Sequence, residues 1–306
     1  MTMINGASAR AEFRELIESG TTLIVPGAPN ALTARLIEDA GFRATYVTGA
    51  GIANTYLGLP DIGLLSLPEI ASHVTAISNA VATPLIVDAD TGFGNAINMW
   101  HTVRTLERAG ASAIQIEDQT FPKRCGHFEG KSTVPVEEMI EKIRAGVEAR
   151  SDPDLLIIAR TDVRAELGLA EACRRAQLYY HSGADITFVE APQSECEVEI
   201  IAAEVPGPKV LNIVQGGKTP QLPLERMQEL GFAVALYANL PLVVSMHAVR
   251  QLLEVLSSGG GIADCPPFAS WDERQAVVRK DYFDALGDRY AAGPSAQEPG
   301  LLNHRP

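Results

Sequence analysis

Short apolar or β-branched runs recur along the chain, each bounded by turn residues and followed by a longer stretch with helical spacing. They cover residues 22–25, 45–47, 85–87, 113–116, 155–158, 186–189, 210–213 and 234–237. Between them, Met99, Val103 and Leu106 share one helical face, as do Met139, Ile143 and Val147, and Leu224, Met227 and Leu230. The pairs Ala40-Gly41, Ala109-Gly110 and Ser182-Gly183 read as helix ends, where glycine accepts the left-handed cap conformation cheaply. Strand then helix, about eight times over, predicts a (β/α)8 TIM-type barrel. A doubly wound open sheet shares the alternation, so the strand count carries the choice, and no Gly-x-Gly-x-x-Gly follows a strand.

Past the eighth run the pattern predicts a long helix over 240–256 and another over 271–290, separated by Gly259-Gly260-Gly261. The expected division is a barrel over 1–258, a helical extension over 259–292 and a loose tail over 293–306. The most apolar stretch, 232–249, is interrupted by Asn239, Pro241 and His247. It reads as a strand, a turn and a buried helix, not as a membrane span.

Composition narrows the function classes. With 46% hydrophobic and 21% charged residues, the 306-residue chain can bury a large core. A net charge of −13 opposes nucleic-acid binding, which needs clustered cations. Cys125, Cys173, Cys196 and Cys265 form no C-x-x-C, so neither a zinc site nor a disulfide framework is expected; Cys173 and Cys196 read as residues of surface helices. The first 14 residues carry no secretory pattern. A soluble, cytoplasmic protein with no membrane partner is the expectation.

In a barrel the C-terminal ends of the strands line the active site, and that is where the acids collect. The third run leads into Asp88-Ala89-Asp90, where a period of two points both carboxylates the same way. The fourth leads into Glu117-Asp118, the fifth into Arg160-Thr161-Asp162, the sixth into Glu190 and the seventh into Asn212. An acid after a strand often only caps the next helix. Asp88, Asp90 and Glu117 together on adjacent strands point instead to a shared hard cation, Mg2+ or Mn2+, because facing carboxylates repel without one. The loop after the fourth run holds Lys123-Arg124-Cys125-Gly126-His127, in which flanking cations stabilise the Cys125 thiolate and let it exchange a proton near neutral pH. Gly126 and Gly130 suggest that 119–131 closes as a lid.

These segments resemble the isocitrate lyase and phosphoenolpyruvate mutase superfamily from about Ala11 to about Leu256. The pieces that carry the resemblance are Val87-Asp88-Ala89-Asp90-Thr91-Gly92-Phe93-Gly94, Glu117-Asp118-Gln119, Lys123-Arg124-Cys125-Gly126-His127 and Ala159-Arg160-Thr161-Asp162. The loop is similar to the branch of 2-methylisocitrate lyase, 2,3-dimethylmalate lyase, fungal oxaloacetate hydrolase and carboxyphosphonoenolpyruvate mutase. The resemblance implies Asp88 as direct metal ligand, with Asp90 and Glu117 reaching the ion through water and Asp61 in the same shell. It implies Tyr46, Thr48, Gly49 and Ala50 around the keto-acid portion of the substrate, and Arg160, Glu190, Asn212 and Gly126 lining the rest. It also implies a last barrel helix exchanged between subunits, hence a homotetramer built from dimers. Two departures stand out: Gln215 replaces an acid after Asn212, and Ala238 stands where the family usually has proline.

The activity so implied is metal-dependent carbon–carbon cleavage of a small 2-hydroxy di- or tricarboxylate to an α-keto acid such as pyruvate. Tyr46 takes the hydroxyl proton, Arg160 holds the departing carboxylate, and Cys125, with Lys123 and His127 beside it, returns a proton. Oxaloacetate hydrolysis, a phosphonate-forming mutase reaction and a non-catalytic ligand-binding barrel are the alternatives.

Overall fold

The computed structural model describes residues 6–123, 130 and 132–291. The chain divides into two compact units, Met1–Pro266 and Pro267–Pro306. In the first, the eight runs become the parallel strands β1 (Leu23–Ala28), β2 (Thr45–Val47), β3 (Leu85–Asp88), β4 (Ala113–Glu117), β5 (Leu156–Thr161), β6 (Ile186–Val189), β7 (Lys209–Asn212) and β8 (Val234–Tyr237). Each pairs with its successor, and Leu23 opposite Val234 closes β1 on β8. Closure excludes the open sheet. Several strands run past the end of their apolar run, β5 as far as Thr161, because backbone pairing continues beneath polar side chains: Glu117 lies opposite Arg160, and Thr161 opposite Val189.

The helices follow the periodicity. They are α1 (Gly6–Glu18), α2 (Ala31–Asp39), α3 (Gly49–Ile52), α4 (Leu67–Ser78), α5 (Ala96–Ala109), α6 (Val136–Ala149), α7 (Arg164–Leu167), α8 (Leu169–His181), α9 (Glu195–Glu204), α10 (Leu224–Glu229) and α11 (Leu240–Ser257). Asn95 caps α5 by accepting from the Ile97 and Asn98 N–H groups, and Gly110 ends it at φ 110°. Met99, Val103 and Leu106 of α5 then pack on the outer faces of β3 and β4, through Leu85, Val87, Ile114 and Ile116.

Side-chain parity separates two layers. Ile86, Ile158, Phe188, Val210 and Val234 point into the barrel and form one core with Phe13, Leu16 and Ile17 of α1. Helix α1 therefore closes the end from which the strands start. Arg10 donates there to the Glu107 and Ala111 carbonyls and Arg14 to the Pro153 carbonyl, all just before strands. The inner core is thus filled below and leaves the C-terminal ends for polar groups.

Three expectations need correction. Helix α11 is not buried: only Leu242 is, while Val243, Val244, Met246, Val249, Leu253 and Leu256 are exposed. Its apolar pattern is real, but no described part of this chain covers it. Cys173 is buried against the barrel side of α8, since an outer helix still has an inner face. The second unit holds two helices where one was expected, α12 (Trp271–Val277) and α13 (Lys280–Tyr290), because Arg279 at φ 60° breaks the run.

Candidate active site

At the C-terminal ends of the strands the inward positions change from apolar to polar. Tyr46 of β2, Asp88 of β3, Arg160 of β5, Glu190 just beyond β6 and Asn212 of β7 all line one cavity of ≈ 60 Å³. Thr48, Asp61 and Lys123 complete its polar side, and Ala50 lines it beside them. Sequence distance is erased by the fold: Lys123, from the loop after β4, lies 2.5 Å from Asp61 Oδ1 and 2.8 Å from Asp90 Oδ1.

Asp88 and Asp90 lie close together, though not by strand alternation alone. Strand β3 ends at Asp88, and Asp90 sits in the left-handed region at φ 46°, which is unusual for a residue with a side chain. That turn brings the Asp90 N–H to 3.2 Å from Asp88 Oδ1. Gly49 donates its N–H to Asp88 Oδ2 at 3.3 Å, and a Cβ on Gly49 would stand 3.1 Å from that same oxygen. Glycine at 49 lets the backbone approach the carboxylate.

Burial raises the Asp90 carboxyl; the Lys123 ammonium opposes this, Asp88 and Asp61 add to it, and the balance leaves Asp90 at about 7. Burial also lifts Glu117 well above the usual carboxylate range, against the pull of Arg160. Burial by itself would lower Lys123, but Asp90, Glu117, Asp88 and Asp61 outweigh it and hold the ammonium firmly protonated. Tyr46 is raised well above the ordinary phenol value by burial and then by the Asp88 charge. A phenol so held stays protonated and donates a hydrogen bond.

Arg160 is the second cation. Its Nε and Nη2 donate to the Asp162 carboxylate at 2.8 and 2.9 Å, and its Nη1 lies 3.1 Å from Glu190 Oε2. Glu117 Oε2 is 3.4 Å from Nε, and Asn212 Nδ2 stands 3.4 Å from both Glu190 oxygens. The guanidinium lies over the Phe188 ring, 5.3 Å from its centroid. Five N–H donors exceed the four carboxylate oxygens met here, so the guanidinium at the cavity wall keeps a donor for a ligand carboxylate.

The matching family model is phosphoenolpyruvate phosphomutase, over residues 13–256. The chain belongs to that family. It is 43% identical over 286 residues to 2,3-dimethylmalate lyase of Eubacterium barkeri, covering 92% of this chain and 98% of the relative. It is 45% identical over 275 residues to 2-methylisocitrate lyase of Aeropyrum pernix, covering 90% and 86%. Among solved structures, phosphonopyruvate hydrolase in complex with oxalate and Mg++ superposes with a TM-score of 0.84 at 32% identity, covering 93% of this chain and 99% of that one.

Whether a hard dication suits this family member's residues can be tested on the site itself. No three His, Cys, Asp or Glu among the described residues stand together as a ready cage, and the Lys123 nitrogen lies between Asp61 and Asp90. The donor chemistry fits all the same. Asp88, Asp90, Asp61 and Glu117 supply only carboxylate oxygens, and Glu117 Oε1 is buried without a hydrogen-bond partner. Burial lifts the Asp90 and Glu117 carboxyls above the usual carboxylate range even with Lys123 and Arg160 beside them, and a bound dication would favour their charged forms.

The remaining expected residues, Cys125, Gly126 and His127, lie outside the described residues. Other wall residues were not expected: Phe188, Val214, Leu236 and Asn239. Phe188 and Val214 sit two residues from Glu190 and Asn212, so strand parity was the available signal. Asn239 accepts from the Thr48 hydroxyl at 2.9 Å, a contact between β2 and β8 ends that only barrel closure creates. Of the two family departures, Ala238 lines the cavity, whereas Gln215 is exposed and accepts from Gln221 at 3.1 Å.

Proposed function

We propose that this chain cleaves a carbon–carbon bond in a small 2-hydroxy di- or tricarboxylate of the 2,3-dimethylmalate or 2-methylisocitrate kind, releasing an α-keto acid such as pyruvate. The observation that carries the reading is a single small cavity with a carboxylate cluster on one side, two buried cations, and an apolar wall of Phe188, Val214, Leu236 and Ala238. The wall suits an alkyl substituent, which favours these substrates over oxaloacetate, where no such group exists. The names of the two lyase relatives point the same way.

Asp88, Asp90, Asp61 and Glu117 would hold Mg2+ or Mn2+. When bound, that ion supplies Lewis-acid stabilisation of negative charge on the 2-hydroxyl oxygen. Tyr46 donates a hydrogen bond to the same end of the substrate, and a carboxylate of the Asp61, Asp88, Asp90 and Glu117 group accepts the hydroxyl proton. Arg160 holds the carboxylate of the departing half as charge develops on it, and its fixed fork spares reorganisation during the reaction. Cys125 returns a proton to the departing carbon, with Lys123 and His127 favouring its thiolate afterwards. Cys125→Ser is expected to lower kcat by about 100-fold or more with little change in KM. Full turnover by that variant would remove Cys125 from the role. The reading as a whole is tested by offering 2,3-dimethylmalate and 2-methylisocitrate and measuring pyruvate, beside oxalate release from oxaloacetate. Oxalate without pyruvate would replace the lyase by the hydrolase.

The same reading places the protein in the cytoplasm as a homotetramer made from dimers that exchange α11. Its support is the uncovered face of α11 together with an apolar groove outside β1 and β8, lined by Ile24, Pro26, Leu36, Phe42 and Tyr237, where an eighth barrel helix normally packs. By length and composition alone α11 would also suffice to cross a membrane. Exchange makes the opposite demand, a soluble assembly. The double variant Val244→Asp, Leu253→Asp should shift light-scattering mass to a smaller species; an unchanged mass would dismiss the exchange.

A further inference from the structure

A second buried polar cluster lies on the outer side of the barrel wall, beside Arg160. Glu117 faces inward, so parity turns the next residue, Asp118, outward toward α8, where it is fully buried. Its Oδ1 accepts from the Asp162 N–H at 2.9 Å. Its Oδ2 accepts from the Thr161 hydroxyl at 2.7 Å, the Tyr179 hydroxyl at 2.8 Å and Arg175 Nη1 at 3.1 Å. The Asp118 N–H in turn donates to the Arg160 carbonyl at 3.2 Å. One residue therefore bonds to each of 160, 161 and 162, and Asp162 grips two nitrogens of the Arg160 guanidinium.

Joining β4 to α8 does not require a charge. An apolar contact would do so without the desolvation cost of a buried carboxylate and guanidinium, whereas hydrogen bonds to a charge fix direction. The cluster also reaches the other cation of the cavity. Arg175 Nη1 donates to the Val134 carbonyl at 2.9 Å, the Val134 N–H donates to the Asp118 carbonyl at 2.8 Å, and Gln119 bridges Thr133. These residues form the base of the loop from which Lys123 enters the site.

We infer that Asp118, held by Arg175 and Tyr179, is a positioning residue that aims the Arg160 guanidinium at the substrate carboxylate. The inference rests on the reading of Arg160 as the group that holds that carboxylate. Asp118 touches no substrate and acts through Asp162. A shift at Asp118 passes to Asp162 through one backbone hydrogen bond, and from there to both gripped nitrogens.

The test is a double-mutant cycle of Asp118→Asn with Arg160→Lys, read as the affinity for oxalate in the presence of Mg2+ by calorimetry. Asp118→Asn should weaken oxalate binding about tenfold in the wild-type background and less than about twofold once Arg160 is lysine, because the two act as one unit. Tyr179→Phe, which removes one donor and keeps the ring, should show a smaller loss with the same non-additivity. Equal losses in both backgrounds would mean a general structural role and overturn the inference. A crystal structure of the Asp118→Asn protein separates this outcome from failure of the functional reading. Arg160 displaced from Asp162 supports positioning even if oxalate does not bind, and an unmoved Arg160 overturns it even if oxalate does.

Discussion

Arg160→Met should abolish useful turnover and also weaken the fold. The methionine leaves Asp162, Glu190 and Glu117 facing one another without the guanidinium that now lies 2.8 to 3.4 Å from them. Removing one partner from a buried charge cluster costs about 3–5 kcal/mol, because the remaining charges stay buried without compensation. Losing a preorganised donor at developing charge costs about 100- to 1,000-fold in rate. Arg160→Lys keeps the charge but not the planar fork, so it should recover stability better than activity. The measurement is a pair: denaturant midpoint and kcat/KM for each variant. An Arg160→Met protein as stable as the parent would mean that these acids are carried neutral, and the electrostatic account of the site would have to be rebuilt.

Stripping divalent ions with a chelator should reduce turnover by about 100-fold or more, and adding Mg2+ or Mn2+ should restore it. Asp88→Ala should lose activity to the same degree and resist rescue. A reading independent of turnover comes from stability. An ion that binds only the folded chain adds about 2.7 kcal/mol at a hundred times its Kd, so the parent should melt higher in Mg2+ and the Asp88→Ala protein should not. Turnover unchanged by the chelator, together with a melting point indifferent to Mg2+, would remove the metal from the proposal. Asp90 at about 7 and the partnerless Glu117 Oε1 indicate where the ion's charge would be felt.

The barrel was legible because its cause is local. Eight apolar runs, helical faces such as Met99, Val103 and Leu106, and glycine helix ends each follow from backbone geometry within a few residues. The acids Asp88, Glu117 and Glu190 could be turned inward from strand parity for the same reason, and Asp88 and Glu190 line the cavity. The apolar runs stop short of the strand ends, where polar residues such as Glu117 and Arg160 continue the ladder, since hydrophobicity stops before hydrogen bonding does. The apolar wall residues Phe188 and Leu236 obey the same parity as the acids, but parity alone also fits ordinary inner core.

The sequence by itself determined the number of strands, the family, and the residue types at the strand ends, because alternation and turn chemistry are short-range. Only the tertiary structure decided which of those groups meet. Lys123 stands between Asp61 and Asp90, and Asn239 accepts from Thr48 across 191 positions, because closing β8 onto β1 brings distant ends together. The structure also assigned opposite tasks to neighbours in sequence: Glu117 turns to the cavity and Asp118 to the outer wall, where its partners Arg175 and Tyr179 come from a helix more than fifty residues away. It left the apolar face of α11 uncovered, a fact invisible to any pattern, since hydrophobic spacing records that a face must be buried and not which chain will bury it.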